Sequence, residues 1–317
     1  QPLGHGVPIV LARSEPGRGL VSLLEQSGDF HVVADGLSPE QALASLRAGQ
    51  ALLALVLPPP STDPAAEPEP ITLYVDDSNP LRANPALSAL EAHYWRHIAT
   101  QEALSVVPVS ISRLYNPDNH SNWILTPTLS GVIVMISMLM LGALSIVRER
   151  EQGTWEALLA TPLYALEAVI GKALPYLLLG LLQALAVISC SALLFQLPLR
   201  GARSAFAVFV GCYTLVHLII GMTISAAAKN QLQAMQGAVL FYLPSMLLSG
   251  FLFPYENMPA WAQYLGRFFP LTYYVDAARG VLLRGVDAPY ILALTVPVGG
   301  LLLGFLLLAA LVFRRRL

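Results

Sequence analysis

Residues 126–147, TPTLSGVIVMISMLMLGALSIV, form an apolar run that contains no Asp, Glu, Lys or Arg. About 20 apolar residues in a helix are enough to cross the ~30 Å hydrocarbon core of a bilayer. Further runs of this kind follow at 173–195, 205–228, 236–253 and 291–313. The sequence therefore predicts a polytopic α-helical membrane protein with five spans, in a domain that covers residues 126–317.

The composition of the chain fits this prediction. Its 317 residues are 55% hydrophobic and only 12% charged, whereas soluble domains carry about 25% charged residues. The net charge of −2 and the pI near 6.3 argue against a nucleic-acid partner, which would require a basic patch. The two cysteines, Cys190 and Cys212, provide neither a disulfide framework nor a zinc-site spacing.

The distribution of basic residues predicts how the spans are oriented, because positive charges collect on the cytoplasmic side. The chain ends in Arg314, Arg315 and Arg316, which places the C-terminus in the cytoplasm. Counting back through the spans, the loop 148–172 is cytoplasmic, and the segment 254–290 lies outside although it contains arginines. Five spans place residues 1–125 outside as well.

An N-terminal domain outside the membrane must have crossed it. The opening residues Gln1-Pro2-Leu3-Gly4 do not resemble a signal peptide, since they lack a basic stretch and an apolar core. We expect a sixth span and its cytoplasmic lead-in to precede Gln1. A cleaved signal peptide is the alternative.

Residues 1–125 have the pattern of an α/β domain, in which short apolar runs alternate with helical stretches. Ser38 followed by Pro39 is a typical helix start. The predicted strands are 7–11, 30–33, 51–57 and 71–75, and the predicted helices are 17–26, 39–48 and 81–104. We expect a small sheet covered by helices.

This domain shows little sign of catalysis. His93 and His97 have the four-residue spacing of zinc ligands, but Tyr94 stands where a metalloprotease motif has glutamate, so a surface pair is the favoured interpretation. Asp76 and Asp77 resemble a turn before a helix more than a calcium loop, which needs 6–8 oxygen ligands. We predict no catalytic, cofactor-binding or metal-binding residue in the chain.

The loop after the first span is the most informative segment. Residues 145–162 are SIVREREQGTWEALLATP: alternating charges emerge, Gly153 breaks the chain, and a short helix is predicted to begin near Thr154 and to end by Pro162. A solvated loop with topology-setting arginines is the simpler interpretation. Acidic residues contribute little to topology, however. A charged helix facing the cytoplasm therefore indicates a docking surface for a partner.

The segment 254–290 contains two short helical stretches, about 259–267 and 271–284, on either side of Phe268-Phe269-Pro270. Its aromatic residues suit the headgroup region of a bilayer, and they are Trp261, Tyr264, Phe268, Phe269, Tyr273 and Tyr274. From composition alone, an ordinary interfacial hairpin is an equally good interpretation.

These motifs together resemble the permease subunits of type-2 ABC exporters, in the multidrug and lipid branch that carries a large extracytoplasmic domain. The resemblance covers residues 115–317 and includes Tyr115-Asn116-Pro117, the R-E-R-E-x-G-T-x-E run from Arg148, Gly171-Lys172, and Ser249-Gly250-Phe251. The outer pattern continues through Pro270-Leu271-Thr272-Tyr273. The family has six spans in each subunit.

The resemblance implies a half-transporter of the bacterial inner membrane, paired with a second permease copy or paralogue and with cytoplasmic ATPase subunits. The implied ATPase-coupling residues are Arg148, Glu149, Arg150, Glu151, Gly153, Thr154, Glu156 and Pro162. The implied residues of the re-entrant extracellular gate are Pro254, Met258, Pro259, Trp261, Pro270, Tyr273 and Arg279. The sequence has no G-x-x-x-x-G-K-[ST] motif, so ATP and Mg²⁺ are expected on the partner ATPase.

Three functions are compatible with these features. The favoured one is a permease that moves an amphipathic or hydrophobic substrate outward, because the predicted spans contain no carboxylate or lysine for a proton relay. The second is an ABC membrane subunit that acts mechanically on an envelope partner, such as a periplasmic adaptor, without transport. The third is a membrane-anchored sensor or binding protein. It is ranked last because a simple anchor needs only one or two spans, whereas five are predicted.

Overall fold

The computed structural model describes residues 7–12, 28–57, 70–78, 80–100, 109–116, 121–153, 165–198, 200–255 and 258–314. The chain divides into two compact units, Gln1–Ile124 and Leu125–Leu317.

The N-terminal unit contains a five-stranded sheet with the order β2-β1-β3-β4-β5. The strands are β1 (Val7–Ala12), β2 (Phe30–Leu37), β3 (Leu53–Val56), β4 (Ile71–Asp76) and β5 (Val109–Leu114). Strands β3 and β4 are antiparallel, and the other neighbours are parallel. The four predicted strands are confirmed, β5 was missed, and the helix predicted at 17–26 falls outside the described residues.

Both faces of the sheet bury apolar side chains, because successive residues of a strand point to opposite faces. Ile9 packs in one cluster with Leu87 of helix α2 (Pro80–Thr100), and Val10 packs in the other with Leu46 of helix α1 (Pro39–Arg47). Ser38 caps α1 in a capping box with Gln41. The expected sheet covered by helices is therefore confirmed.

The C-terminal unit is helical. Its elements are α3 (Ser121–Ser145), α4 (Val147–Glu151), α5 (Ala165–Phe195), α6 (Arg203–Ala227), α7 (Gln231–Leu248), α8 (Ala260–Gly266), α9 (Pro270–Arg279), a π-helical turn (Gly280–Arg284) and α10 (Ala288–Arg314). The last eight residues of the predicted loop 148–172 already belong to helix α5.

Four helices in the described part of the chain are long and apolar enough to cross a membrane. They are Leu125–Glu151, Ala173–Phe195, Arg203–Ala227 and Ala288–Val312. The count of five spans is not confirmed, because the run predicted at 236–253 corresponds to α7, which is not one of these four helices. Glutamines at 231, 233 and 236 lower the hydropathy of its first turns, and Gly250, with a φ of 82°, lies just beyond its end.

Helices α3 and α6 form the core of this unit and run in the same direction. The Tyr213 hydroxyl of α6 donates to the Gly131 carbonyl oxygen of α3 at 2.9 Å, and farther along both helices Ser225 lies against Ile146. Most of α3 and α6 is buried, whereas few residues of α5 and α10 are fully buried. Helix α5 bonds to α3 through the Gln183 side-chain amide, which donates to the Ser137 hydroxyl oxygen at 2.8 Å, a type of bond that links helices in membranes.

Candidate functional site

The charged residues after the first span form a short helix rather than a loop. Helix α4 contains Arg148, Glu149, Arg150 and Glu151, and the backbone then turns at Gly153, whose φ is 72°. A positive φ of this size strongly favours glycine. The predicted chain break at Gly153 thus coincides with a left-handed backbone conformation. Thr154, Glu156 and Pro162 lie outside the described residues.

The start of α4 is bonded to the end of α6. The backbone N–H groups of Ile146 and Val147 both donate to the Ser225 hydroxyl oxygen, at 3.1 and 3.0 Å. Ser225 is completely buried. The helical chain is interrupted at Ile146, so these N–H groups need a partner there, and the serine supplies it. Arg150 also donates to the carbonyl oxygen of Ala226 at 3.2 Å.

The end of α4 is bonded to the start of α7. The Glu151 carboxylate accepts one hydrogen bond from the Gln231 backbone N–H at 2.8 Å and a second from the Gln231 side-chain amide. A carboxylate is favourable at a helix N-terminus because of the helix dipole and the unpaired N–H groups there. Asn230 caps the same helix through the Gln233 N–H at 2.8 Å. Helix α4 is therefore attached to both sides of the turn between α6 and α7.

The predicted extracellular segment contains a helical hairpin, residues 259–284, whose corner lies against two long helices. Pro259 caps α8, and Pro270 is the first residue of α9. At the corner, the Phe269 ring centroid is 5.4 Å from that of Phe241 in α7. The neighbouring Phe268 ring lies 5.5 Å from that of Phe305 in α10. The corner thus packs beside the interior of both helices rather than beside their ends.

Hydrogen bonds fold the hairpin onto itself. Thr272 donates to the Gly266 carbonyl oxygen at 2.7 Å, and Tyr273 donates to that of Arg267 at 3.0 Å. The Met258 carbonyl oxygen accepts from the Gln263 amide at 2.9 Å. Among the other predicted gate residues, Pro254 is half-buried and Trp261 is 64% exposed.

The end of the hairpin carries a partly buried ion pair that sequence reasoning missed. Arg284, which is 6% exposed, donates to the Asp276 carboxylate at 2.5 Å, and the Tyr290 hydroxyl donates to the same carboxylate at 2.6 Å. The pair joins α9 and the π-helical turn to the first turn of α10. The predicted gate residue Arg279 is also buried, at the last position of α9. The sequence contains no spacing motif that identifies Asp276, Arg284 and Tyr290 as partners.

Tyr274 is buried in the helical core, whereas its aromatic character had predicted a side chain exposed to the headgroup region. Its side chain is completely buried, and its hydroxyl lies 2.8 Å from that of Ser130. Its ring centroid is 4.5 Å from that of Tyr213. A β-carbon at position 131 would overlap the Tyr274 ring, so Gly131 makes room for it.

The N-terminal unit contains one buried carboxylate of interest. Asp77 is completely buried and accepts a hydrogen bond from Arg113 at 3.3 Å. Burial raises the pKa of this carboxyl, and Arg113 offsets the increase only in part. Within the described residues no group of three metal-ligating side chains occurs. The side chains of His93 and His97 lie outside that description.

Four membrane-length apolar helices, a helical hairpin packed beside them and a separate mixed-sheet unit define a multi-pass α-helical membrane protein. The sequence pattern of the ABC-2 family of transporter proteins matches residues 5–314. The chain belongs to this family, which confirms the resemblance to type-2 ABC permease subunits.

Several curated relatives are similar to this chain. The probable multidrug ABC transporter permease YbhR of Escherichia coli (strain K12) is 32% identical over 224 residues, which cover 68% of this chain and 60% of YbhR. YbhS, also named a probable multidrug ABC transporter permease in that strain, is 28% identical over 268 residues, 81% of this chain and 71% of YbhS.

ABC transporter G family member 20 of Dictyostelium discoideum is 25% identical over 175 residues, which are 55% of this chain and 24% of the relative. The chain thus matches about three fifths of the length of YbhR and a smaller part of this relative.

Proposed function

We propose that this chain is the membrane-spanning subunit of an ATP-driven ABC exporter and that a separate ATPase chain drives it. The observation that carries the proposal is the attachment of α4 to the turn between α6 and α7 through Ser225, Arg150 and Glu151. A charged helix attached in this way transmits movement of a docked protein to α6 and α7. Arg148 and Glu151 are exposed at that point.

The docking element comprises Arg148, Glu149, Arg150, Glu151 and Gly153 together with Thr154, Glu156 and Pro162. Mixed charge on a short helix suits a polar groove on the ATPase, where complementary charges determine which partner docks. ATP and Mg²⁺ bind to the partner, and this chain binds no cofactor of its own. A second permease copy or a paralogue completes the membrane part.

The proposed location is the bacterial inner membrane, with the C-terminal arginines in the cytoplasm and the N-terminal unit outside. This arrangement requires α7 to cross the membrane as a fifth span, because only an odd number of crossings places residues 1–125 and the C-terminal arginines on opposite sides. The parallel course of α3 and α6 is the one expected if α3, α5 and α6 cross the membrane in succession. Helix α5 connects them in the sequence, so three successive crossings bring α3 and α6 through the membrane in the same direction.

The proposed substrate is amphipathic or hydrophobic. The five apolar runs contain no Asp, Glu, Lys or Arg, so the path offers no ion relay and suits an apolar solute. The hairpin 259–284 is the proposed outer gate, and its exposed aromatic residues include Trp261 and Tyr264. The names of YbhR and YbhS as probable multidrug permeases support this substrate class.

The test is co-purification of the full-length protein with a candidate ABC ATPase subunit from the same genome. Glu151→Lys and Gly153→Pro are compared with the wild type, and Glu40→Lys, an exposed position of the N-terminal unit, is the control. We expect the ATPase to co-purify with the wild type and the control, and both test variants to lose it or to hydrolyse ATP without transport. The proposal fails if no ATPase associates and both variants behave as wild type.

The separately folded N-terminal unit favours a second candidate function, an ABC membrane subunit that acts mechanically on a periplasmic adaptor or another envelope partner. This candidate predicts ATP hydrolysis in the complex without movement of any hydrophobic dye in vesicles. Crosslinking from exposed positions of α2, such as Glu91, would capture the partner.

A further inference from the structure

Helices α3 and α6 touch backbone to backbone at one pair of glycines. A β-carbon at Gly142 would lie 2.6 Å from the carbonyl oxygen of Leu218, and one at Gly221 would lie 2.5 Å from that of Leu139. Small residues allow such close approach, and the resulting van der Waals contact is a principal source of helix association in membranes. The two helices cannot separate or slide here without losing this contact.

One end of the α3–α6 pair carries α4. Both N–H groups at the junction between α3 and α4 donate to the Ser225 hydroxyl, so a single side chain of α6 holds the place where the chain leaves α3. Ser225 is completely buried, so loss of its hydroxyl would leave two backbone N–H donors without that acceptor. Movement of α4 therefore moves α3 and α6 together.

The other end of the pair holds the hairpin 259–284. Tyr274 of α9 lies over Gly131 of α3, bonds to Ser130 of α3 and contacts the Tyr213 ring of α6. Tyr213 in turn donates to the Gly131 carbonyl oxygen. The hairpin therefore contacts both members of the pair at one point. The hairpin contact at Gly131 and the α4 junction at Ile146 are separated by about 22 Å along the helix axis of α3.

We propose that Ser225 and Tyr274 are positioning residues for coupled transport. Ser225 joins the docking helix α4 to the pair, Tyr274 joins the outer hairpin to it, and the glycine contact makes α3 and α6 move as one body between them. This inference rests on the proposed function, and it adds which helices carry the movement and which side chains connect them.

Distances between spin labels test the inference in the full-length complex with its ATPase. Cys190 and Cys212 are first replaced by alanine. The first two labels, at Leu129 of α3 and Val208 of α6, report on the distance between these two helices. The second set, at Val208 and at Leu292 of α10, reports on movement of α6 relative to α10. All three positions are exposed. Each is measured without nucleotide and after trapping with ATP and vanadate.

We expect the 129–208 distance to stay constant on trapping while the 208–292 distance changes. Slippage of α3 past α6 by one turn would instead change the 129–208 distance by about 5 Å. Ser225→Ala and Tyr274→Phe should abolish the change in the 208–292 distance while ATP hydrolysis continues, and Ser225→Thr, which keeps the hydroxyl, should restore it.

Ser245→Ala is the matched control, because Ser245 is also completely buried and its hydroxyl makes no hydrogen bond to the described residues. The inference is overturned if the 129–208 distance changes on trapping, or if Ser225→Ala and Tyr274→Phe respond as Ser245→Ala does. If no ATPase associates and neither distance responds to ATP, the proposed function itself fails, and the positioning role fails with it.

Discussion

Glu151 and Gln231 are eighty residues apart in the sequence, and both hydrogen bonds between them end on the same carboxylate. One comes from the backbone of Gln231 and the other from its side chain. Glu151 therefore acts as a cap for α7 supplied by another part of the chain. This contact connects the charged helix α4 directly to the first turn of α7.

Glu151→Ala should destabilise the helical unit by about 0.5–2 kcal/mol, the usual cost of losing a helix cap. Glu151→Gln should have a smaller effect, because the amide oxygen still accepts a hydrogen bond while the charge is lost. Thermal unfolding of the purified full-length protein measures both. Glu91→Ala, an exposed change in the N-terminal unit, is the control. Equal melting temperatures for all variants would contradict the capping role.

Two glycines of α6 should respond in opposite ways to the same substitution. Gly221→Ala places a methyl group 2.5 Å from the Leu139 carbonyl oxygen and should cost about 1–3 kcal/mol through overpacking. Gly211 has open space around it, so Gly211→Ala should be neutral or should stabilise the helix by up to about 1 kcal/mol. Comparing the yield and melting temperature of the two variants in detergent checks this, and equal losses would contradict the close α3–α6 contact.

Asp276→Asn should destabilise the hairpin 259–284 because it removes the carboxylate charge that the buried Arg284 contacts. Breaking a fully buried ion pair costs about 3–5 kcal/mol, and the 43% exposure of the Asp276 side chain reduces the expected loss to about 1–3 kcal/mol. Hydrogen exchange of residues 270–290 measures the effect. Asp287→Asn, at an exposed position nearby, should leave exchange unchanged. Equal exchange in both variants would show that the ion pair does not hold the hairpin.

The stability of the N-terminal unit should depend on the protonation of Asp77. Burial raises the pKa of this carboxyl above its ordinary value of 3.8, so the folded state binds the proton more tightly than the unfolded state does. Stability should then fall as the pH rises from about 3.8 through the folded pKa, and should remain lower above it.

The protection of residues 71–76 against hydrogen exchange, corrected for intrinsic rates, measures this effect. In the Asp77→Asn variant, the decline in stability with rising pH should disappear, because the amide does not ionise. Asp35→Asn, at an exposed position, should retain it. A decline of equal size in both variants would assign the pH dependence to other groups.

The long apolar runs and the alternation of strands could be predicted because each depends on local composition. Strand β5 was missed because its residues Val109–Leu114 include three polar side chains, and its place depends on pairing with β4. The fifth span is not confirmed, and its predicted bounds differ from those of α7, because the hydropathy of 236–253 does not reveal that the helix begins at Gln231 and ends at Leu248.

The amino-acid sequence by itself determined the membrane class, the family, the α/β character of the N-terminal unit and the charged segment from Arg148. These follow from hydrophobic periodicity and from residues that are neighbours along the chain. Only the tertiary structure decided that Ser225 receives the N–H groups of Ile146 and Val147, that Tyr274 lies over Gly131, and that Glu151 caps α7. Such contacts join residues that are far apart in the sequence, and packing decides them because each buried polar group must find its partner in the folded chain.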